Sequence, residues 1–337
     1  MEADAPYPDV QYPDAQYPDT PYADVQYAQV GTIRLAYESF GRVGDPTVLL
    51  VMGQGSQLLG WPEPLCRALV AQGLRVVRFD HRDCGLSTHL PSRRFAPRHL
   101  SPYTLDDLAA DALALVDQLG LHDVHVVGMS MGAMLAQLLA IGAPNRVLSL
   151  TCIASSTGSR RVGRPRLLLL RRIPLRRKAL HRDAAGSLFA RILQAIGSPA
   201  YPVDERLLHE LGARCYDRGY DPAGSRRHLF AVLRAHDRTS ALRQLRVPTL
   251  VVHGTADPLV SPSGGQALAA AIPGARLVTV PGMGHDLPPQ LWPLLVAEIC
   301  AVVARGERGR VPDPAALGAQ PTYREPRGRE PVCREPT

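Results

Sequence analysis

The apolar positions of the chain fall into short continuous runs separated by helical stripes. Val48-Leu49-Leu50-Val51-Met52 is unbroken, as expected of a strand covered on both faces. Leu74-Arg75-Val76-Val77-Arg78-Phe79, His125-Val126-Val127, Val147 to Ile153, Pro248 to His253 and Ala275 to Val280 are runs of the same kind. Between them the period changes. Trp61 to Ala71 has helical spacing. Leu105, Leu108, Ala109, Ala112, Leu115, Val116 and Leu119 form one helical stripe, opened by Thr104 with Asp107 three residues on and closed by Gly120. Helical patterns return over 264–272 and 291–304. Ahead of all these, Gln29-Val30 and Ile33 to Glu38 flank Gly31-Thr32, a hairpin signal.

Strands alternating with helices predict an α/β fold with a doubly wound, mostly parallel sheet. The alternation stops near 157 and resumes near 247. The residues between are helical in flavour and hold no strand-like run, so 158–246 read as a helical cap inserted late in the sheet. That leaves 28–157 and 247–306 as the core. Residues 1–27 carry tyrosine at 7, 12, 17, 22 and 27 in a Tyr-Pro-Asp repeat, and 307–337 repeat Arg-Glu-Pro. Both have too little apolar content for a core and are predicted to be disordered tails.

Charge changes this picture only regionally. The chain has 38 Lys and Arg against 31 Asp and Glu, and residues 160–246 hold 20 of the former and 7 of the latter. The basic surplus therefore belongs to the cap, and the rest is acidic on balance. Residues 160–182 contain ten basic side chains and no acidic one, around Leu167-Leu168-Leu169-Leu170. Three readings stay open for that stretch: a helix on an anionic membrane surface, attraction of an anionic group on the substrate, or a solvated basic helix with its leucines inward. Interleaved aromatics and any nucleic-acid-binding module are missing, so a nucleic-acid partner is disfavoured. No apolar run approaches the ~18 residues of a membrane span. The six cysteines have no metal-ligand spacing and suit a reducing, cytoplasmic compartment. No Walker or dinucleotide-binding sequence occurs, so no cofactor is implied. The expected partner is a small-molecule substrate, and no feature specifies an oligomer.

The chemistry is carried by Gly128-Met129-Ser130-Met131-Gly132, a G-x-S-x-G sequence between a strand-type run and a small-residue helix. In that context it reads as a nucleophile elbow: a turn so tight that the positions two before and two after the serine want no Cβ. A serine hydroxyl needs a base, and the base an orienting carboxylate. Asp257, past the strand ending at Gly254, and His285, past the strand ending at Val280, supply them in the order such folds require. His81 lies on the same edge but precedes the serine and reads as a turn residue. Asp286 adjoins His285 and points elsewhere. The oxyanion donors are expected to be the Met131 amide and the Gln54 amide, with Gly53 as the alternative to Gln54. Gly53 and Trp61 are expected to touch substrate.

These residues resemble the α/β-hydrolase superfamily in its cap-bearing branch. Val51-Met52-Gly53 with Leu59-Gly60-Trp61-Pro62, Asp80 to Ser87, Val126 to Ala133 and Pro281 to His285 are most similar to the aclacinomycin methylesterase-like hydrolases. The resemblance spans roughly 28–305 and implies a cofactor-free serine hydrolase acting on a carboxylic ester. Carbon–carbon, lactone and perhydrolysis chemistry use the same triad, and some proteins of this fold only bind ligands. Gln54 stands where the resemblance implies glycine, which leaves a backbone donor but puts a side chain beside the pocket.

Overall fold

A computed structural model describes residues 25–91, 102–166 and 179–309. Eight strands form one sheet: β1 (Gln26–Val30), β2 (Ile33–Phe40), β3 (Thr47–Val51), β4 (Arg75–Phe79), β5 (Val124–Met129), β6 (Val147–Ile153), β7 (Thr249–Gly254) and β8 (Arg276–Val280). Their order across the sheet is β1-β2-β4-β3-β5-β6-β7-β8. β1 and β2 pair antiparallel with each other, and β2 with β4; every other pairing is parallel. The carboxyl ends of β3 to β8 therefore share one edge, which is where such sheets present their chemistry.

The central strands are buried along their whole length, as their unbroken apolar runs require. One face is covered by α2 (Leu105–Gln118), α3 (Met131–Gly142) and α8 (Ser263–Ala271), through Leu108, Leu115, Leu135 and Leu268. The other is covered by α1 (Glu63–Val70) and α9 (Trp292–Arg308), through Leu65, Leu69, Leu295 and Ile299. α2 starts at a complete capping box, in which Thr104 Oγ1 accepts from the Asp107 amide (3.3 Å) and Asp107 Oδ2 from the Thr104 amide (2.7 Å).

Between β6 and β7, the described residues include the helices α4 (Arg182–Ile196), α5 (Glu205–Asp217), α6 (Pro222–Leu233) and α7 (Thr239–Leu242). α5 seats Leu211 against Leu58 and Leu59, which follow β3. The ends of the ordered core differ by two residues from the expected bounds. β1 begins at Gln26, so Tyr27 is paired in the sheet with Ala36 and lies under the Arg34 guanidinium. α9 runs to Arg308 because Glu307 reaches the buried ring of His125, 3.0 Å away. Residues 1–24, 310–337 and the four leucines at 167–170 lie outside the described residues. Among the described residues no helix is long and apolar enough to cross a membrane.

Candidate active site

Ser130 is the residue between β5 and α3, and its backbone is in the left-handed region (φ 55°). A non-glycine residue held there costs on the order of 1–3 kcal/mol, and the surroundings enforce it. A Cβ on Gly132 would overlap the Val51 carbonyl oxygen and lie 2.6 Å from that of Met52; one on Gly128 would lie 2.6 Å from the Ala133 Cα. The two glycines let the helix start press against β3 and β5. The Ser130 amide donates to the Ile153 carbonyl (2.9 Å), and the Ser155 hydroxyl donates to the Ser130 carbonyl (2.8 Å). Ser130 itself stays half-buried.

Asp257 and His285 come together on the same edge. His285 Nδ1 is 2.8 Å from Asp257 Oδ2, and both side chains are buried. The Leu259 and Val260 amides, each at 2.8 Å, occupy Asp257 Oδ1. With every acceptor facing a donor, Asp257 presents one oxygen to the imidazole and fixes the ring with its proton on Nδ1, leaving Nε2 as the free base. No hydrogen bond joins Ser130 to His285 among the described residues. His285 is held through its backbone, by the Ile196 carbonyl at 2.7 Å, and through the preceding Gly284 amide on Ser198 Oγ at 2.8 Å. Asp286 turns away to the Ser198 hydroxyl, and burial pushes its carboxyl up.

The loop after β3 approaches the serine from the other side. A Cβ on Gly53 would lie 3.3 Å from the Ser130 Cβ, so only glycine fits without displacing the serine. Among the described residues the Gly55 amide is spent on His228 Nδ1 (3.1 Å) and the Ser56 amide on the Gly53 carbonyl (3.2 Å). The Gly53 and Gln54 amides are the two that remain. The Gln54 side chain does not project over the serine: its Nε2 donates to the Ser225 carbonyl (2.9 Å) and hydroxyl (3.1 Å) on α6.

Trp61 is 1% exposed and packs among Leu65, Cys66 and Leu69, with its indole nitrogen unpartnered. It is part of the core under α1, because the short 3-10 turn Leu58–Gly60 rotates it inward. His81 is also buried, with Nε2 2.9 Å from the Met52 carbonyl, and burial lowers its pKa. It supports the donor loop from beneath.

The cap's arginines are less solvated than composition implied. Arg218 and Asp80 form a pair, 2.6 Å apart, in which neither side chain is exposed. Arg227 grips Asp83 with two bonds of 2.6 and 2.7 Å. Arg238 is buried against Gln137 Oε1 (3.0 Å) and the Ser156 carbonyl (3.3 Å), and burial pulls its pKa down to about 10. Asp83, His89 and Asp221 have the mutual spacing of a metal cluster. Arg227 already bridges Asp83 and Asp221, so a cation's place is taken by its guanidinium.

The α/β hydrolase fold family matches residues 46–289. The chain belongs to the α/β-hydrolase family. This α/β hydrolase is 33% identical over 292 residues to rhodomycin D methylesterase DnrP of Streptomyces peucetius, covering 80% of the chain and 94% of that protein. It is 25% identical over 240 residues to 3-oxoadipate enol-lactonase 2 of Acinetobacter baylyi, covering 71% and 82% respectively. Among solved structures it is similar to the enol-lactonase from Burkholderia xenovorans LB400, with a TM-score of 0.67 and 25% identity over 83% of the chain and all of the other.

Sequence patterns missed the residues that hold these loops. His228, Ser225 and Ser198 lie in the cap, whose polar positions carry no periodicity that marks a buried contact. A second histidine beside Asp257, the buried His253, has its Nε2 2.8 Å from the Val260 carbonyl and 3.6 Å from Asp257 Oδ2. Its signal was its place in β7, four residues before the acid.

Proposed function

We propose that this α/β hydrolase cleaves a carboxylic ester of a small or medium apolar substrate through an acyl-enzyme on Ser130. The observation that carries the reading is the buried Asp257–His285 hydrogen bond, on the sheet edge that also presents Ser130 at its strained turn. His285 Nε2 takes the Ser130 proton as Oγ attacks the carbonyl carbon, and Asp257 stabilises the imidazolium. The Met131 amide, at the start of α3, and the Gln54 amide receive the oxyanion. Each such donor is worth roughly 10²–10³ in rate. His285 returns the proton to the departing alcohol. Water, deprotonated by the same ring, then releases the acid.

Methyl esters are the first substrates to try, since rhodomycin D methylesterase is among the relatives. A lactone is an internal ester and needs the same steps, so the enol-lactonase relatives fit the same reading. The thiols at 66, 84, 152, 215 and 300 are all free, in keeping with work in the cytoplasm. A fluorophosphonate probe tests the reading directly. Wild type is expected to label, and Ser130→Ala not; equal labelling of the two, or none of wild type, overturns it.

A further inference from the structure

The cap reaches the chemistry through α6. His228 is fully buried, accepting from the Gly55 amide at Nδ1 (3.1 Å) and lying 2.9 Å from the Arg82 carbonyl at Nε2. An amide can only donate and a carbonyl only accept, so these contacts fix a neutral ring with its proton on Nε2. One turn earlier, Ser225 takes the Gln54 side chain on two oxygens. Beneath, His81 donates from Nε2 to the Met52 carbonyl, and its ring stands edge-on to His228 with centroids 5.9 Å apart. The segment Met52–Gly55 is thus held at one end by a core histidine and at the other by a cap histidine. The Gln54 peptide lies between them.

We propose that His228 is a positioning residue for the oxyanion hole: by holding the Gly55 amide it aims the Gln54 amide at the oxyanion, and makes a working hole conditional on the docking of α6. This rests on the acyl-enzyme reading above. In consequence the cap does more than shape a pocket. When α6 lifts, one of the two oxyanion donors loses its aim, and reaction waits until the helix is seated again. Misplacement by about 1 Å costs as much as 10²-fold in rate.

Two conservative substitutions separate the bonds. His228→Asn keeps an acceptor near the Nδ1 position, within reach of the Gly55 amide. His228→Gln puts its amide near the Nε2 position and abandons Gly55. The readouts are kcat and KM for a p-nitrophenyl ester, the rate of fluorophosphonate labelling, and the thermal midpoint. His228→Gln is expected to lose tenfold or more in kcat and in labelling rate, with KM within about threefold of wild type, and His228→Asn to recover most of the loss at a similar midpoint. Gln54→Met, which frees the neighbouring tie to Ser225 but keeps every backbone donor, is expected to lower kcat in the same direction by a smaller factor. Equal losses in both His228 variants that track the midpoint, or wild-type rates in both and in Gln54→Met, overturn the proposal. Wild type that fails to label at Ser130 overturns the acyl-enzyme reading instead; labelling of His228→Gln at the wild-type rate overturns this inference alone.

Discussion

The two halves of the catalytic edge are built differently. Ser130 is held by the sheet: glycine-to-backbone contact with β3, the Ile153 carbonyl and the Ser155 hydroxyl, all within the core. Asp257 is held by the amides of its own loop, while the loops of His285 and Gln54 also lean on the cap. The loop of His285 hangs on Ile196, the last residue of α4, and on Ser198 two residues beyond it, and the loop of Gln54 hangs on Ser225 and His228 of α6. As the proposed nucleophile, Ser130 gains from being immobile, and steric enforcement by backbone supplies that. On the proposed reading, the base His285 and the oxyanion donor Gln54 take part of their position from the cap.

This division can be broken at several points. The largest effect is expected from Asp257→Asn. Oδ1 keeps its two amide donors, so the new NH2 faces His285 Nδ1 and forces the wrong tautomer. We expect kcat to fall about 10⁴-fold, read by steady-state kinetics, with the elbow undisturbed. Arg218→Met comes next. It strands a fully buried Asp80 and should cost about 3–5 kcal/mol of stability, seen as a lower urea midpoint. Adding Asp80→Asn should return much of it. If Arg218→Met alone is neutral, the cap is docked by something other than its buried charges.

The third test is pH. Burial lowers the His228 pKa from 6.5 to about 4. Between those values the unfolded chain binds a proton that the folded chain refuses, so stability falls as pH drops from 6.5 towards 4 and levels off below. The loss amounts to about 3 kcal/mol. His81 and His253, both lowered by burial, act in the same sense. Urea midpoints measured across that range should decline for wild type and decline less steeply for His228→Asn. The smallest effect is expected from Ser198→Ala, which loosens the His285 loop by two hydrogen bonds, from the Gly284 amide and to the Asp286 carboxylate, about 2 kcal/mol. It should lower kcat about fivefold with a small change in midpoint, and a midpoint change without a rate change would place Ser198 on the structural side of the division.

Much of the sheet side was legible in sequence, for a physical reason. Buried parallel strands must be apolar throughout, so β3 to β7 advertise themselves, and the elbow glycines, Thr104 and Gly120 each mark a backbone geometry that few residues can adopt. The order of Ser130, Asp257 and His285 follows from strand order. The cap side was not legible. Whether Arg218 and Arg227 face water or carboxylates depends on Asp80 and Asp83, far away in sequence, and no local period encodes that. Trp61, expected to touch substrate, is 1% exposed and packs in the core after the 3-10 turn Leu58–Gly60, a burial that its local sequence does not encode. Gln54 was expected to offer its backbone amide, and the destination of its side chain is set by a helix 171 residues later.

The buried pairs Arg218–Asp80 and Arg227–Asp83 bear on how such an enzyme is re-engineered. They join the cap to the turn after β4 across 138 and 144 residues of sequence. A cap transplanted from a relative would bring a new pocket but leave two carboxylates without their guanidinium partners, at several kcal/mol each when buried. The transferable module is therefore discontinuous: the helices α4 to α7 together with the turn 80–83, exchanged as one unit or not at all.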